Sequence, residues 1–298
     1  MNILGFNPSH HSSVCLLQEG ELKYFIQEER LTRKKYDGTP FKGFIDILQN
    51  YKIDYICWAS PSIKYSYSSV AEDLPHFYEL ALKYHPKVFH ADFSSYHHLA
   101  HTGNTFYNSG FNKSISVVID GLGSGIKNWG QETESIYTCE YPSKFNLIYK
   151  NLFSDTPVKK DLIGDLKNSF NISENINLAR VYETVTMHLG WTRDEAGKLM
   201  GLSSYGAENP SFPNFFSQNN GRSDIFYQDE NRPNEYLERG LQHTFIDTYL
   251  HSELKLKNNP QEWHYDKSKI TSLEKDLAWK VQNDTQQIVG DYIEKAIK

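Results

Sequence analysis

Alternation of apolar and polar positions marks the first third of the chain. "NILGFN" and "SVCLLQEGELKYFIQEER" read as strands of period two, with Glu19-Gly20 as a hairpin turn between VCLLQ and ELKYFI. The period lengthens in "FKGFIDILQNY", where Phe41, Phe44, Ile45 and Leu48 recur at helical spacing. "DYICWAS" and "KVFHADF" are short apolar runs suited to buried strands. Between them, "AEDLPHFYELALKYH" predicts a helix that begins near its proline. In the next stretch Ser94 or Ser95 supplies an N-cap and Gly110 a stop. "SISVVIDGLGSG" is a β-branched strand running into a glycine turn, and "SIYTCEY" and "FNLIYKNLF" continue as antiparallel strands.

After about residue 155 the pattern turns helical, in "INLARVYETVTMHLGW" and "RDEAGKLMGLSSYG". Residues 207–235 are polar and rich in Asn, Pro and Ser, which predicts loops. Leu273, Leu277, Val281, Ile288 and Tyr292 then fall at helical spacing in a long amphipathic tail helix that needs a partner surface. The pattern divides the chain into a first α/β part, 1–155, and a mainly helical part, 156–298. Hairpin strands, crossover helices and a strand ending in Asp-Gly predict an α/β fold. The same strand–DG–strand element recurs in actin-like and sugar-kinase-like ATPase folds, which contain a ribonuclease H-like subdomain. There, backbone N–H groups of the glycine turn approach phosphates, so Gly121 and Gly123 are candidate nucleotide contacts.

Composition narrows the class. The chain has 298 residues, 39% hydrophobic and 14% aromatic, enough for a sizeable core. Its formal net charge of -6 argues against a nucleic-acid partner. The one dense basic run, "RLTRKK" at 30–35, suits a phosphate-bearing small molecule. Cys15, Cys57 and Cys139 form no CxxC pair, and the start, "MNILGFNPSHHSS", reads as neither a signal peptide nor a membrane span. A cytoplasmic protein with no membrane partner is expected.

Candidate chemistry concentrates in "YHHLAHTGNTFY". On a helix, His97 and His101 lie four apart on one face, so both imidazoles can aim at one ion. Asp120, ending the apolar run "SVVID", is the candidate third ligand, since a buried carboxylate wants a cation or hydrogen bonds. Two imidazoles and a carboxylate suit Fe(II) or Zn(II), and spacing does not choose between them. A histidine pair of this spacing also occurs as a solvated or hydrogen-bonded face, and Asp120 can equally cap its turn.

Taken together, "NPSHHSSVCLL", "EERLTRKKYD", "HHLAH", "VVIDGLGS" and "EAGKLMGLSSYG" resemble the O-carbamoyltransferases of nodulation-factor and antibiotic biosynthesis. The resemblance runs from near residue 3 to near residue 206, and "DLAWKVQ" in the tail helix also fits. It implies an actin-like transferase domain. In that family, a following domain makes carbamoyl adenylate from ATP and carbamoyl phosphate. The transferase domain then passes the carbamoyl group to a hydroxyl of a small acceptor such as a sugar or nucleoside. Carried over, iron would be held by His97, His101 and Asp120, with His98 behind them. His10 would relieve the acceptor hydroxyl of its proton. Lys35, with Arg33, would stabilise the leaving phosphate. Lys198 and Gly201 would line the nucleotide and acceptor cleft.

The chain ends at Lys298, before the glycine-rich strand, the further aspartate and the adenylate-forming domain of that family. The expectation is therefore a transfer module with the second half of its fold truncated, completed by a separate C-terminal carbamoyltransferase chain. A homodimer is the simplest self-assembly. The alternatives are a relative of the enzymes that place threonylcarbamoyl on tRNA, or a non-catalytic binding or regulatory homologue.

Overall fold

The computed structural model describes residues 1–8, 11–58, 70–85, 87, 89–92, 96–126, 130–154, 170–173, 177–192, 195–212, 214–216 and 270–298. Contacts divide the chain into two compact units, 1–108 with 123–125 and 109–122 with 126–298.

The first unit carries a five-stranded sheet. Strands β1 (Asn2–Asn7), β2 (Ser13–Gln18) and β3 (Glu21–Gln27) form an antiparallel meander, and β4 (Tyr55–Trp58) and β5 (Phe89–Asp92) add in parallel, giving the order β3-β2-β1-β4-β5. Glu19 and Gly20 both have positive φ, 52° and 84°, as the two-residue hairpin turn requires. Leu4, Phe6, Val14, Leu16 and Ile56 point from the strands into one core. Helices α2 (Phe41–Asn50) and α3 (Val70–Tyr84), the crossovers, cover that face with Phe44, Ile47, Leu48, Phe77 and Ala81. A short α1 (Glu28–Thr32) follows β3 directly.

One element locks this arrangement. Glu28, only 1% exposed, accepts hydrogen bonds from the N–H groups of Lys42 (2.7 Å) and Gly43 (3.0 Å) in the first turn of α2. Helix N-termini leave such donors without partners, and a carboxylate there also meets the positive end of the dipole. Gly43 is required by packing, because a Cβ would lie 2.6 Å from a Val14 methyl.

Helix α4 (His97–Ser109) follows β5, and Gly110 with φ 75° ends it in the left-handed conformation. Strands β6 (Lys113–Ile119), β7 (Gly125–Ile126), β8 (Gly130–Glu140), β9 (Lys144–Phe153) and β10 (Phe170–Ser173) come next. In the second unit's sheet the order is β10-β9-β8-β6. Helices α5 (Leu178–His188), α6 (Ala196–Ser203) and α7 (Ser272–Ile297) pack beside it.

One expectation is revised here, and a second gains a detail. The apolar stripe of α7, with Leu277, Ala278, Val281, Ile288 and Tyr292, is buried in its own unit's core with Val181, Val185 and Leu199, so its partner surface lies within the chain. Within the stretch expected to be loop, Phe212, Phe215 and Phe216 join the same core, because three phenyl rings outweigh the polar residues around them. A capping box at Thr271 and Glu274 starts α7. Among the described residues no helix is long and apolar enough to cross a membrane.

Candidate metal centre

The face that α4 buries is set by His98, Thr102 and Phe106, four residues apart. That stripe turns His98 inward to 0% exposure and leaves His97 and His101 on the neighbouring, more accessible stripe. The HHxxH pattern thus separates one structural histidine from two presented ones. The N–H of His97 donates to Ser124 Oγ at 3.2 Å, so the serine of the glycine turn caps the helix start. Ser94 and Ser95, the expected caps, lie outside the described residues.

His97 Nε2 and His101 Nε2 are 3.1 Å apart, with ring planes 85° to one another. Two imidazole nitrogens each about 2.1 Å from one ion are about 3.0 Å apart at an octahedral angle and 3.4 Å at a tetrahedral one. The observed separation matches that bite and equally a hydrogen bond between the two rings. One donor atom each from His97, His101 and Asp120 lies within 4.8 Å of the others. Two imidazole nitrogens and a carboxylate oxygen are ligand types that Fe(II) and Zn(II) both take.

Asp120 is held along its main chain. Its N–H donates to Thr133 O (2.8 Å), its carbonyl accepts from Asn177 Nδ2 (2.7 Å), and its Oδ1 accepts the N–H of Gly121 (2.7 Å). The Gly121 N–H is therefore turned to its neighbour's carboxylate. A Cβ at Gly121 would meet Glu183 Oε1 at 3.0 Å and Arg180 Nε at 3.5 Å, so this glycine answers a close approach by α5. Gly123 follows in the same turn, before Ser124.

At the carboxyl-end edge of the first sheet lies the segment 28–37, α1 and the loop after it. Lys35 is exposed, and its Nζ stands 4.5 Å over the Tyr36 ring, while His11 meets that ring edge-on at 5.2 Å. Arg33 and Tyr36 both have positive φ, 62° and 60°, and the Tyr36 N–H is held by Glu29 Oε2 at 3.2 Å. Non-glycine residues persist in that conformation only where surroundings fix them. Ser12 clasps the loop by donating N–H and Oγ–H to Asp37 O. His10 lies outside the described residues.

Lys198 sits on the exposed face of α6, paired with Glu195. That contact and the Thr192 N–H lower the Glu195 carboxyl to about 2. Around Gly201 a Cβ would meet nothing, whereas at Gly206 it would lie 2.0 Å from the Lys275 carbonyl oxygen of α7. Burial pushes the Cys15 and Cys57 thiols up, which disfavours either as a thiolate nucleophile.

Ser124, Asn177, His11 and Tyr36 are site residues that sequence reasoning missed. Only Tyr36, an aromatic closing a basic run, carries a local signal.

No protein-family model matches the chain. An uncharacterized protein of Methanocaldococcus jannaschii is 27% identical over 208 residues, which is 69% of this chain and 34% of that protein. The chain thus spans about a third of the length of the curated relative it matches. Among solved structures, YeaZ from Pseudomonas aeruginosa is similar at TM-score 0.32 and 14% identity, covering 53% of this chain and 70% of that one. A second, an uncharacterized protein with similarity to peptidase YeaZ from Pseudomonas aeruginosa, has TM-score 0.31 and 13% identity, covering 53% and 68%.

Proposed function

We propose that the chain is the transfer module of a carbamoyltransferase, acting through a divalent ion held by His97, His101 and Asp120. The observation that carries this is the grouping of those three donor side chains within 4.8 Å, in a chain with five stretches that resemble those of the O-carbamoyltransferases. Hairpin strands followed by crossover helices in the first sheet support the actin-like reading.

A divalent ion bound there supplies Lewis-acid polarisation of an acyl oxygen. The chain's own groups do the rest. His97 and His101 orient the site, because the buried stripe of α4 fixes the helix rotation. Arg33 and Lys35 bring two cations to the sheet edge, where they stabilise a leaving phosphate. His10 takes the proton of the acceptor hydroxyl as its oxygen bonds to the carbamoyl carbon. The bond from that carbon to the adenylate phosphate oxygen breaks, and AMP leaves. The substrate class is a small hydroxyl compound.

The test is metal analysis of the purified full chain, then carbamoyl transfer from carbamoyl adenylate to a panel of hydroxyl acceptors, with and without candidate C-terminal partners. About one Fe or Zn per chain, lost in His97→Ala plus His101→Ala, is the expected result. Stoichiometric metal retained by the double variant ends the assignment. A salt-sensitive tRNA complex would replace this reading with threonylcarbamoyl transfer. No turnover with metal present would favour a non-catalytic role.

A further inference from the structure

The Asp120 carbonyl is gripped by a side chain that also starts a helix. Asn177 is 1% exposed and is the N-cap of α5. Its Oδ1 accepts the Arg180 N–H at 3.1 Å, and its Nδ2 donates to Asp120 O at 2.7 Å. One partner is a donor and the other an acceptor, so the amide has a single satisfactory orientation. Aspartate and serine cap helices about as well as asparagine, but neither offers a nitrogen donor on the opposite side. The identity of residue 177 is therefore demanded by its contact with Asp120 and not by capping alone.

The next turn of α5 adds a second support. Arg180, 9% exposed, pairs through Nη1 with Glu183 Oε2 at 2.6 Å. Its Nε, without a hydrogen-bond partner among the described residues, lies beside Gly121. Asp120 and Gly121 are thus framed by the first two turns of one helix.

We infer that Asn177 is a positioning residue for the cation-binding carboxylate, so that α5 stability and metal affinity are linked. This rests on the metal reading of His97, His101 and Asp120. Outer partners of metal ligands commonly change affinity 10- to 100-fold when removed. Linkage requires the reverse effect as well: a cation that fixes Asp120 must also steady the Asn177–Arg180 contact.

The test uses the full chain and Co(II), whose visible absorption reports its ligands. Asn177→Ser keeps a cap and removes the donor without adding charge; Asn177→Asp keeps the cap and sets a carboxylate against the Asp120 carbonyl. Both should retain the metal-free circular dichroism of the wild type, weaken Co(II) about 10- to 100-fold and alter its spectrum, with Asn177→Asp the weaker. Wild-type affinity and spectrum in Asn177→Ser would overturn the proposal. A measurement that needs no variant is hydrogen exchange of the wild-type Arg180 amide, which Co(II) should slow several-fold. An unchanged rate in a chain that binds Co(II) also overturns it. A wild-type chain that binds no Co(II) overturns the metal reading itself, which separates the two failures.

Discussion

The short helix after β3 and the turn after β6 each begin with a carboxylate from a quoted motif, and the two acids are used differently. Glu28 has both oxygens committed to main-chain donors of α2 and is buried. Asp120 accepts its neighbour's N–H through Oδ1, stays partly exposed, and lies near two imidazoles. Motif membership does not distinguish a buried carboxylate that joins two elements from a partly exposed one beside a histidine pair; burial and surroundings do.

The largest expected effect breaks the structural side of the pair. Glu28→Ala removes two charge-assisted hydrogen bonds, each worth about 1.5–3 kcal/mol, and should lower stability by about 3 kcal/mol while leaving metal stoichiometry unchanged. Denaturant midpoints and metal analysis measure the two outcomes. Asp120→Asn should do the reverse. The amide oxygen still accepts the Gly121 N–H, so unfolding shifts by under about 0.5 kcal/mol, yet Co(II) affinity falls roughly 100-fold. Equal stability losses in the two variants would erase the distinction.

The adjoining glycines sharpen it. Gly43→Ala drives a Cβ to 2.6 Å from a branched Val14 methyl in the core and should cost about 1–3 kcal/mol. Gly121→Ala meets side-chain ends alone, Glu183 Oε1 at 3.0 Å and Arg180 Nε at 3.5 Å, and should cost under about 1 kcal/mol. Reversed order in thermal unfolding would show that the turn, not the helix, is the tighter junction.

The smallest effect is a pH control outside both regions. The Glu195 carboxyl is depressed to about 2, so its contribution to stability is present above the ordinary carboxylate range and is lost as pH falls toward about 2. Lys198→Ala should flatten that acid-side slope slightly, because Lys198 is 47% exposed and its pairing is screened. An unchanged slope would assign the depression to the Thr192 N–H.

Local rules made part of this legible. The hairpin at Glu19-Gly20, the stop at Gly110, the long α7 and the i,i+4 histidines each depend on residues a few positions apart. What escaped depends on distant partners. Ser124 caps α4 from 27 residues downstream of His97, and Asn177 reaches Asp120 across 57. Neither serine nor asparagine announces such a bond, since both types fill turns and caps everywhere. The basic run stands out for its charges, but the buried Glu28 beside it organises α2. In "EAGKLMGLSSYG" the glycines look alike, yet Gly206 alone of the three abuts a backbone.

Glu28 also bears on how the first unit assembles. Its bond to Gly43 closes a loop of only 15 residues, joining the hairpin to the helix beside it. Closing so short a segment costs little chain entropy, so these strands and α2 should form together early, ahead of the parallel additions. In native-state exchange, the amides of Lys42 and Gly43 should then open in the same cooperative step as those of β2 and β3.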